Sequence, residues 1–145
     1  MDATPATSEG HCVFCKIVRG EIPSTKVYED ERTLCFMDIN PATHGHCLAI
    51  PKAHRENIHE MTETDCLEVM STTKRVADAI RETLKPDGLN LLQANGLQAF
   101  QTVFHFHMHI IPRYNDDPIK LPWIPRQGDM DVIRKNGDLI RLFFK

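Results

Sequence analysis

Three histidines on alternate residues, His105, His107 and His109, are separated by Phe106 and Met108 and followed by Ile110-Ile111-Pro112-Arg113. Alternation of imidazole with apolar residues is a strand pattern, because successive side chains of a strand point to opposite faces. The three imidazoles then share one face, roughly 6–7 Å apart, while Phe106, Met108 and Ile110 enter a core. An imidazole has an unperturbed pKa of about 6.5, so near neutrality it is a nucleophile, a proton donor or a metal ligand. Such a row suits one extended substrate or a metal site. A second constellation is Cys12-x-x-Cys15. Alone it is compatible with a redox pair, an accident, or half of a zinc site. There is no second Cys-x-x-Cys, so a metal would need two histidines to close a tetrahedron. Spacing alone leaves His44, His46 and His59 open as ligands, and His11 adjoins the pair.

The elements that must position these groups are readable from patterning. Residues 12–19 make a short helix ended by Gly20 and held off by Pro23. Residues 26–29 and 33–37 are strands joined by Asp30-Glu31-Arg32, and 46–50 is a third strand closed by Pro51. A long helix is predicted over 62–84, capped by Thr62 with Asp65, with an apolar stripe of Leu67, Met70, Ala77, Ile80 and Leu84. Lys85-Pro86-Asp87-Gly88 stops it. Strands follow at 89–93 and 103–112, separated by a loop over 95–101. Met130, Ile133, Gly137, Ile140 and Phe144 keep helical spacing near the C-terminal end. A few helices beside mostly sequential strands predict an α+β domain with an antiparallel sheet. The expected division is a disordered tail over 1–10, a domain over 11–113, and an extension over 114–145 packed on that domain.

Composition narrows the class. A chain of 145 residues reads as one domain, able to bury roughly two thirds of its unfolded surface. A net charge of −3 with no Lys/Arg run gives no footprint for nucleic acid. No apolar stretch approaches ~18 residues, so no membrane span is expected. The first residues lack the build of a secretory signal. Five cysteines, an odd number, favour a reducing compartment, and the expected location is the cytoplasm.

The run from His105 to Ile111 resembles the signature of the histidine triad family of nucleotide hydrolases and nucleotidyl transferases. Gln101-Thr102-Val103, Asp38-Ile39-Asn40-Pro41, the block from Gly45-His46 to Pro51-Lys52, Cys12-Val13-Phe14-Cys15 and Gly20-Glu21-Ile22-Pro23 are similar to further family blocks. The resemblance spans residues 12 to about 113. It implies a five-stranded antiparallel sheet with one long and one short helix, pairing into a ten-stranded sheet in a homodimer. It implies His107 as nucleophile, with a nucleotidyl-histidine intermediate, and His109 as proton donor to the leaving group. Gln101 and Thr102 stand where the family contacts the phosphate and leaving group. Asp38 matches its ribose anchor, and Phe14, Ile17, Ile22, Phe36 and Ile39 its apolar base slot. In the zinc-containing, bacterial-type branch, Cys12 and Cys15 are joined by the positions that are His54 and His105 here, as a structural site.

Three positions depart from the common pattern. Ala94 replaces an Asn or Gln, which leaves Asn95 as a weak nucleotide-binding candidate. His44 replaces a Pro. Phe100 replaces a Gly, and since a phenylalanine resists positive φ the loop is expected to follow another path. The expectation is a hydrolase at the α-phosphorus of a purine nucleotide derivative: a phosphoramidate, an acyl-nucleotide or a dinucleoside polyphosphate. The alternative is a nucleotide-binding adaptor with little turnover. No His-Pro-His-Gln motif is present, which disfavours a sugar-nucleotide uridylyl transferase.

Overall fold

The structure, a computed structural model, describes residues 9–145. The tail expected over 1–10 therefore lies outside the described residues up to residue 8, while Glu9 and Gly10 belong to a 3-10 turn, Glu9–His11. Helix α1 is Val13–Val18, with Cys12 as N-cap, its sulfur accepting from the Cys15 amide at 3.4 Å. Strands β1 (Lys26–Glu29) and β2 (Thr33–Met37) follow. Their turn is closed by Asp30, whose Oδ1 accepts from the amides of Arg32 and Thr33 at 2.9 and 2.8 Å. Strand β3 is Cys47–Pro51, helix α2 Glu63–Thr83, strand β4 Gly88–Leu92 and strand β5 Met108–Arg113. A 3-10 turn, Leu97–Ala99, precedes β5, and helix α3 is Met130–Leu142. The sheet is five-stranded and antiparallel throughout, in the order β1-β2-β3-β5-β4. This is the α+β fold that the triad resemblance implies.

The two-residue period of β2 and β3 sorts their side chains onto two faces. Cys35, Cys47 and Ala49 pack with Val69, Val76 and Ile80 of α2 and with Phe106 and Ile110. On the other face Leu34, Phe36, Leu48 and Ile50 pack with Phe14, Cys15 and Ile17 of α1. The Thr62–Asp65 capping box starts α2, as expected. Of the apolar stripe expected on that helix only Ile80 is buried. Its inward face is Val69, Thr72, Thr73, Val76 and Ile80, whereas Leu67 and Met70 are 66% and 49% exposed. Two threonines on the inward face hid it from a hydrophobic count. Thr72 is tolerated there because its hydroxyl hydrogen-bonds that of Thr33 at 2.6 Å, and the Thr73 hydroxyl donates to the Val69 carbonyl.

Three further expectations are corrected. The last strand starts at Met108 rather than 103, its ladder with β3 running Cys47↔Ile110, Leu48↔His109 and Ala49↔Met108. Phe100 does adopt the left-handed region, with φ +67°. The Phe100 amide donates to Leu97 O and the Gln101 amide to Gly96 O, so the turn over-determines a conformation that costs a non-glycine residue roughly 1–3 kcal/mol. Finally, the extension over 114–145 is packed only at its start. Arg113 pairs with Asp117 and the Tyr114 hydroxyl donates to His44 O, but α3 has no buried residue. Its apolar residues therefore do not cover this domain within one chain.

Candidate active site

On the α1 face of the sheet lies a cleft of ≈ 630 Å³, lined by Phe14, Ile17, Ile22, Phe36 and Leu48, with Asp38, His46, His107 and His109 on its polar side. Ile39, Thr102 and Val103 are at its wall as well. The cleft thus gathers most of the residues expected to bind a nucleotide. It does not include Gln101 or Asn95. Gln101 is buried, and its amide is fully used by the backbone: Oε1 accepts from Gly96 N at 2.7 Å, and Nε2 donates to Glu56 O at 2.6 Å and Val103 O at 3.1 Å. Asn95 accepts from Ile58 N at 2.8 Å and pairs with Gln93. Both side chains tie loops together, Gln101 through Glu56 O and Asn95 through Ile58 N.

His107 has a fixed tautomer. Its Nδ1–H donates to the carbonyl of His105 at 2.7 Å, so Nε2 keeps its lone pair. Phe14 packs edge-on against it at 5.2 Å between ring centres. Burial, outweighing its carbonyl bond, holds the His107 pKa below the ordinary histidine value.

His46 is a residue that the sequence offered only as a rival metal ligand. Its Nδ1 accepts from the Ala42 amide at 2.9 Å, so the neutral ring carries its proton on Nε2. That nitrogen lies 2.9 Å from Nδ1 of His109 and 3.5 Å from Asp38 Oδ2. The bond therefore runs from His46 Nε2–H to His109 Nδ1, and the proton of neutral His109 sits on Nε2. A backbone amide has set the tautomers of two imidazoles in sequence. Asp38, His46 and His109 lie close enough to suggest a metal-binding trio, but with Nδ1 accepting a hydrogen bond His46 cannot ligate through Nε2 without becoming imidazolate. A fixed chain of hydrogen bonds fits the trio better than a cation. The signal available in the sequence was the i, i+2 spacing of His46 with Leu48, which puts both on the cleft face of the third strand.

Burial is the main cause that lowers the His109 pKa to about 4, with His107 and His46 adding repulsion. Burial also lowers that of His46, against the pull of Asp38. The folded state thus disfavours the charged rings. Their contribution to stability is complete above the unfolded value of about 6.5 and is lost as pH falls toward 4. Melting temperature should drop across that window. His109→Gln should show a smaller drop than the unsubstituted protein, and parallel curves would disprove the assignment.

Beneath the cleft, Cys12, Cys15, His54 and His105 bring one ligand atom each within 4.8 Å of the others. Cys12 Sγ is 3.4 Å and Cys15 Sγ 3.5 Å from His105 Nδ1, and Cys15 Sγ is 3.3 Å from His54 Nδ1. Sulfur and nitrogen ligands at zinc bond lengths and a tetrahedral angle stand about 3.5 Å apart. His105 donates from Nε2 to Pro51 O at 2.8 Å, which leaves Nδ1 deprotonated toward the thiols, as a metal ligand requires. Burial, with Cys12 beside it, pushes the Cys15 thiol up to about 12, so without a metal the thiol stays protonated. The donor set fits zinc. The rivals do not join it: His11, His44 and His59 are exposed, and His46 is engaged with His109.

The HIT domain family model matches residues 19–116. Protein hit of Bacillus subtilis is 53% identical over 104 residues, 72% of each chain. Adenosine 5'-monophosphoramidase hnt1 of Schizosaccharomyces pombe is 43% identical over 106 residues, 73% of this chain and 77% of that one. Among solved structures, a Zn-bound histidine triad family protein from Mycobacterium smegmatis superposes with a TM-score of 0.73 at 38% identity, covering 93% of this chain and 94% of that one. The chain belongs to the HIT, or histidine triad, family.

Proposed function

We propose that the chain hydrolyses purine nucleotide derivatives at the α-phosphorus, releasing a nucleoside monophosphate. The observation that carries this reading is the pair of fixed tautomers: His107 offers a bare Nε2 to the cleft while His109 carries a proton on its own Nε2. In the first step His107 Nε2 attacks the α-phosphorus and a P–N covalent bond forms to the imidazole. The bond from phosphorus to the leaving nitrogen or oxygen breaks while that atom accepts a hydrogen bond from His109 Nε2–H and takes its proton from a water molecule, leaving hydroxide. His46 holds His109 in that orientation across their 2.9 Å bond. In the second step the hydroxide attacks the nucleotidyl-histidine, and His107 leaves with the electron pair. The similarity to an adenosine 5'-monophosphoramidase supports a phosphoramidate among the substrates. Brief mixing with such a compound should yield an acid-labile adduct of one nucleoside monophosphate on a histidine by mass spectrometry. A pure nucleotide-binding adaptor would give none.

The base is assigned to the slot of Phe14, Ile17, Ile22, Phe36 and Ile39, which can sandwich a purine without reading its edge. Thr102 is assigned to the phosphate end. Asp38 Oδ1 accepts from the Asn40 amide at 2.8 Å, which aims the carboxylate and leaves acceptor capacity for two ribose hydroxyls. Asp38→Asn should weaken AMP binding by roughly 1.5–3 kcal/mol and affect the 2′,3′-dideoxy analogue far less. Equal losses in a calorimetric titration would make Asp38 a turn residue only.

Structural zinc on Cys12, Cys15, His54 and His105 completes the reading. When bound it would supply a closed, unreactive cross-link between α1, the 51–58 loop and the triad. A homodimer is supported by the outward Leu67 and Met70 of α2 and by edge strand β4, where Leu92 is 48% exposed. No helix among the described residues is long and apolar enough to cross a membrane. Five free thiols, four of them buried, support the cytoplasm as location.

A further inference from the structure

Side chains from three neighbouring strands meet in the cleft. Strands β2, β3 and β5 lie side by side in the sheet. The Asp38 amide donates to His46 O at 3.0 Å, which carries the β2–β3 ladder one pair beyond Met37↔Cys47 and sets Asp38 opposite His46. On the other side His109 pairs with Leu48, two residues from His46 and on the same face of that strand. The sheet therefore seats His46 between the carboxylate assigned to the ribose and the imidazole assigned to the leaving group. His46 has one N–H to give, on Nε2, and two acceptors for it: His109 Nδ1 at 2.9 Å and Asp38 Oδ2 at 3.5 Å.

The surroundings of the carboxylate sharpen that competition. The side chains of His46 and Asp38 are 5% and 15% exposed. Among the described residues no Lys or Arg lines the cleft, and Asp38 has no ion-pair partner except His46. The Asn40 amide serves Oδ1, which leaves Oδ2 turned toward His46. A desolvated carboxylate draws on the nearest donor. Hydroxyl donors at their ordinary distance, about 2.7–2.8 Å, stand closer than the N–H of His46 at 3.5 Å. They satisfy the carboxylate in its place, and the His46 proton is then left wholly to His109. Hydrogen bonds in such a chain polarise one another, so a firmer bond into His109 Nδ1 makes its Nε2–H a better donor to the leaving atom.

We propose that His46 is a positioning residue that couples ribose recognition to departure of the leaving group. Hydroxyls bound at Asp38 release the His46 Nε2–H to His109, so a substrate with both ribose hydroxyls is cleaved faster as well as bound more tightly. The inference rests on the hydrolase reading and deepens it, the substrate class being nucleotide derivatives that carry an intact 2′,3′-diol.

Single-turnover rates at saturating substrate separate the two effects. The probes are the phosphoramidate of AMP that releases ammonia and its 2′,3′-dideoxy analogue, with unsubstituted, His46→Phe and His46→Gln proteins. In the unsubstituted protein, loss of the hydroxyls should lower the rate about tenfold, the size of one hydrogen bond, besides raising KM. Phenylalanine fills the space without donating. His46→Phe should therefore bring the ribose substrate to within about twofold of the dideoxy rate, while the hydroxyls still lower KM through Asp38. Glutamine offers two N–H groups from one nitrogen, enough for both acceptors at once. His46→Gln should recover most of the ribose-substrate rate and keep the hydroxyl effect on rate within about threefold. Melting curves and AMP titrations verify the folded cleft, and the glutamine variant carries the comparison where phenylalanine unfolds the protein. A merely structural His46 would lower both rates equally. An undiminished hydroxyl effect on rate in either folded variant, or a hydroxyl effect confined to KM in the unsubstituted protein, would overturn the proposal while the hydrolase reading stands. Turnover of neither compound by the unsubstituted protein would sink the hydrolase reading and this proposal with it.

Discussion

Replacing His107 with alanine or asparagine is expected to reduce kcat on an AMP phosphoramidate by at least ~10³-fold with AMP affinity nearly unchanged. The affinity should survive because the apolar slot and Asp38 do not depend on this ring. Asparagine is the more informative substitution, since its amide can still donate to the His105 carbonyl that now holds Nδ1 at 2.7 Å. The local backbone is then kept while the nucleophile is lost. The adduct seen with the unsubstituted protein should vanish in both variants. Near-normal single-turnover rates, or an adduct that persists, would rule out a covalent path through this residue. His109→Ala makes the complementary case. Its cost should be large when the leaving group is a poor one that needs a proton and small when it is already acidic. Equal costs would remove His109 from the donor role.

Purified protein should contain about one zinc per chain, and Cys15→Ser should lose the metal together with a large part of its thermal stability. The thiol of Cys15 is held up to about 12 by burial, so the metal must displace a proton that the folded site otherwise retains. Zinc affinity should therefore weaken steeply as pH falls. Because the four ligands converge only in the folded chain, metal binding adds to folding free energy, and chelation should lower the melting temperature. His54→Ala should release zinc, whereas His59→Ala should not, since His59 is exposed and outside the cluster. Zinc retained by the His54 variant would refute the ligand set and leave the triad chemistry untouched. Chelation has a second expected effect. The His105 carbonyl accepts the His107 Nδ1–H, so loosening His105 should lower kcat more than it raises KM.

Motif and period were sufficient for much of this. Alternation around His105, His107 and His109 put the apolar neighbours Phe106 and Ile110 in the core and the imidazoles on the opposite side, and Thr62 with Asp65 marked the start of α2. Those are local signals, although β5 starts at Met108 and only His109 of the three histidines lies within it. Cys12-x-x-Cys15 is also local, and it needed only the family pattern to name its two partners. What the chain could not reveal residue by residue depends on which segments meet. The Leu67 and Met70 stripe of α2 looks more apolar than the Thr72 and Thr73 face, yet the latter is buried because Thr33 of β2 supplies a hydroxyl partner. Gln101 had the spacing of a phosphate contact and became a clamp because Gly96 and Glu56 lie within its reach. Phe100 takes a backbone conformation that its side chain disfavours because two turn hydrogen bonds and that clamp outweigh the strain. The proton positions on His46 and His109 are the clearest case. No pattern of residue types specifies them. They are fixed by the amide of Ala42, brought to His46 by the turn that precedes β3. Sequence determined which groups could react. The tertiary structure decided which nitrogen holds the proton, because hydrogen-bond direction is a property of neighbours in space.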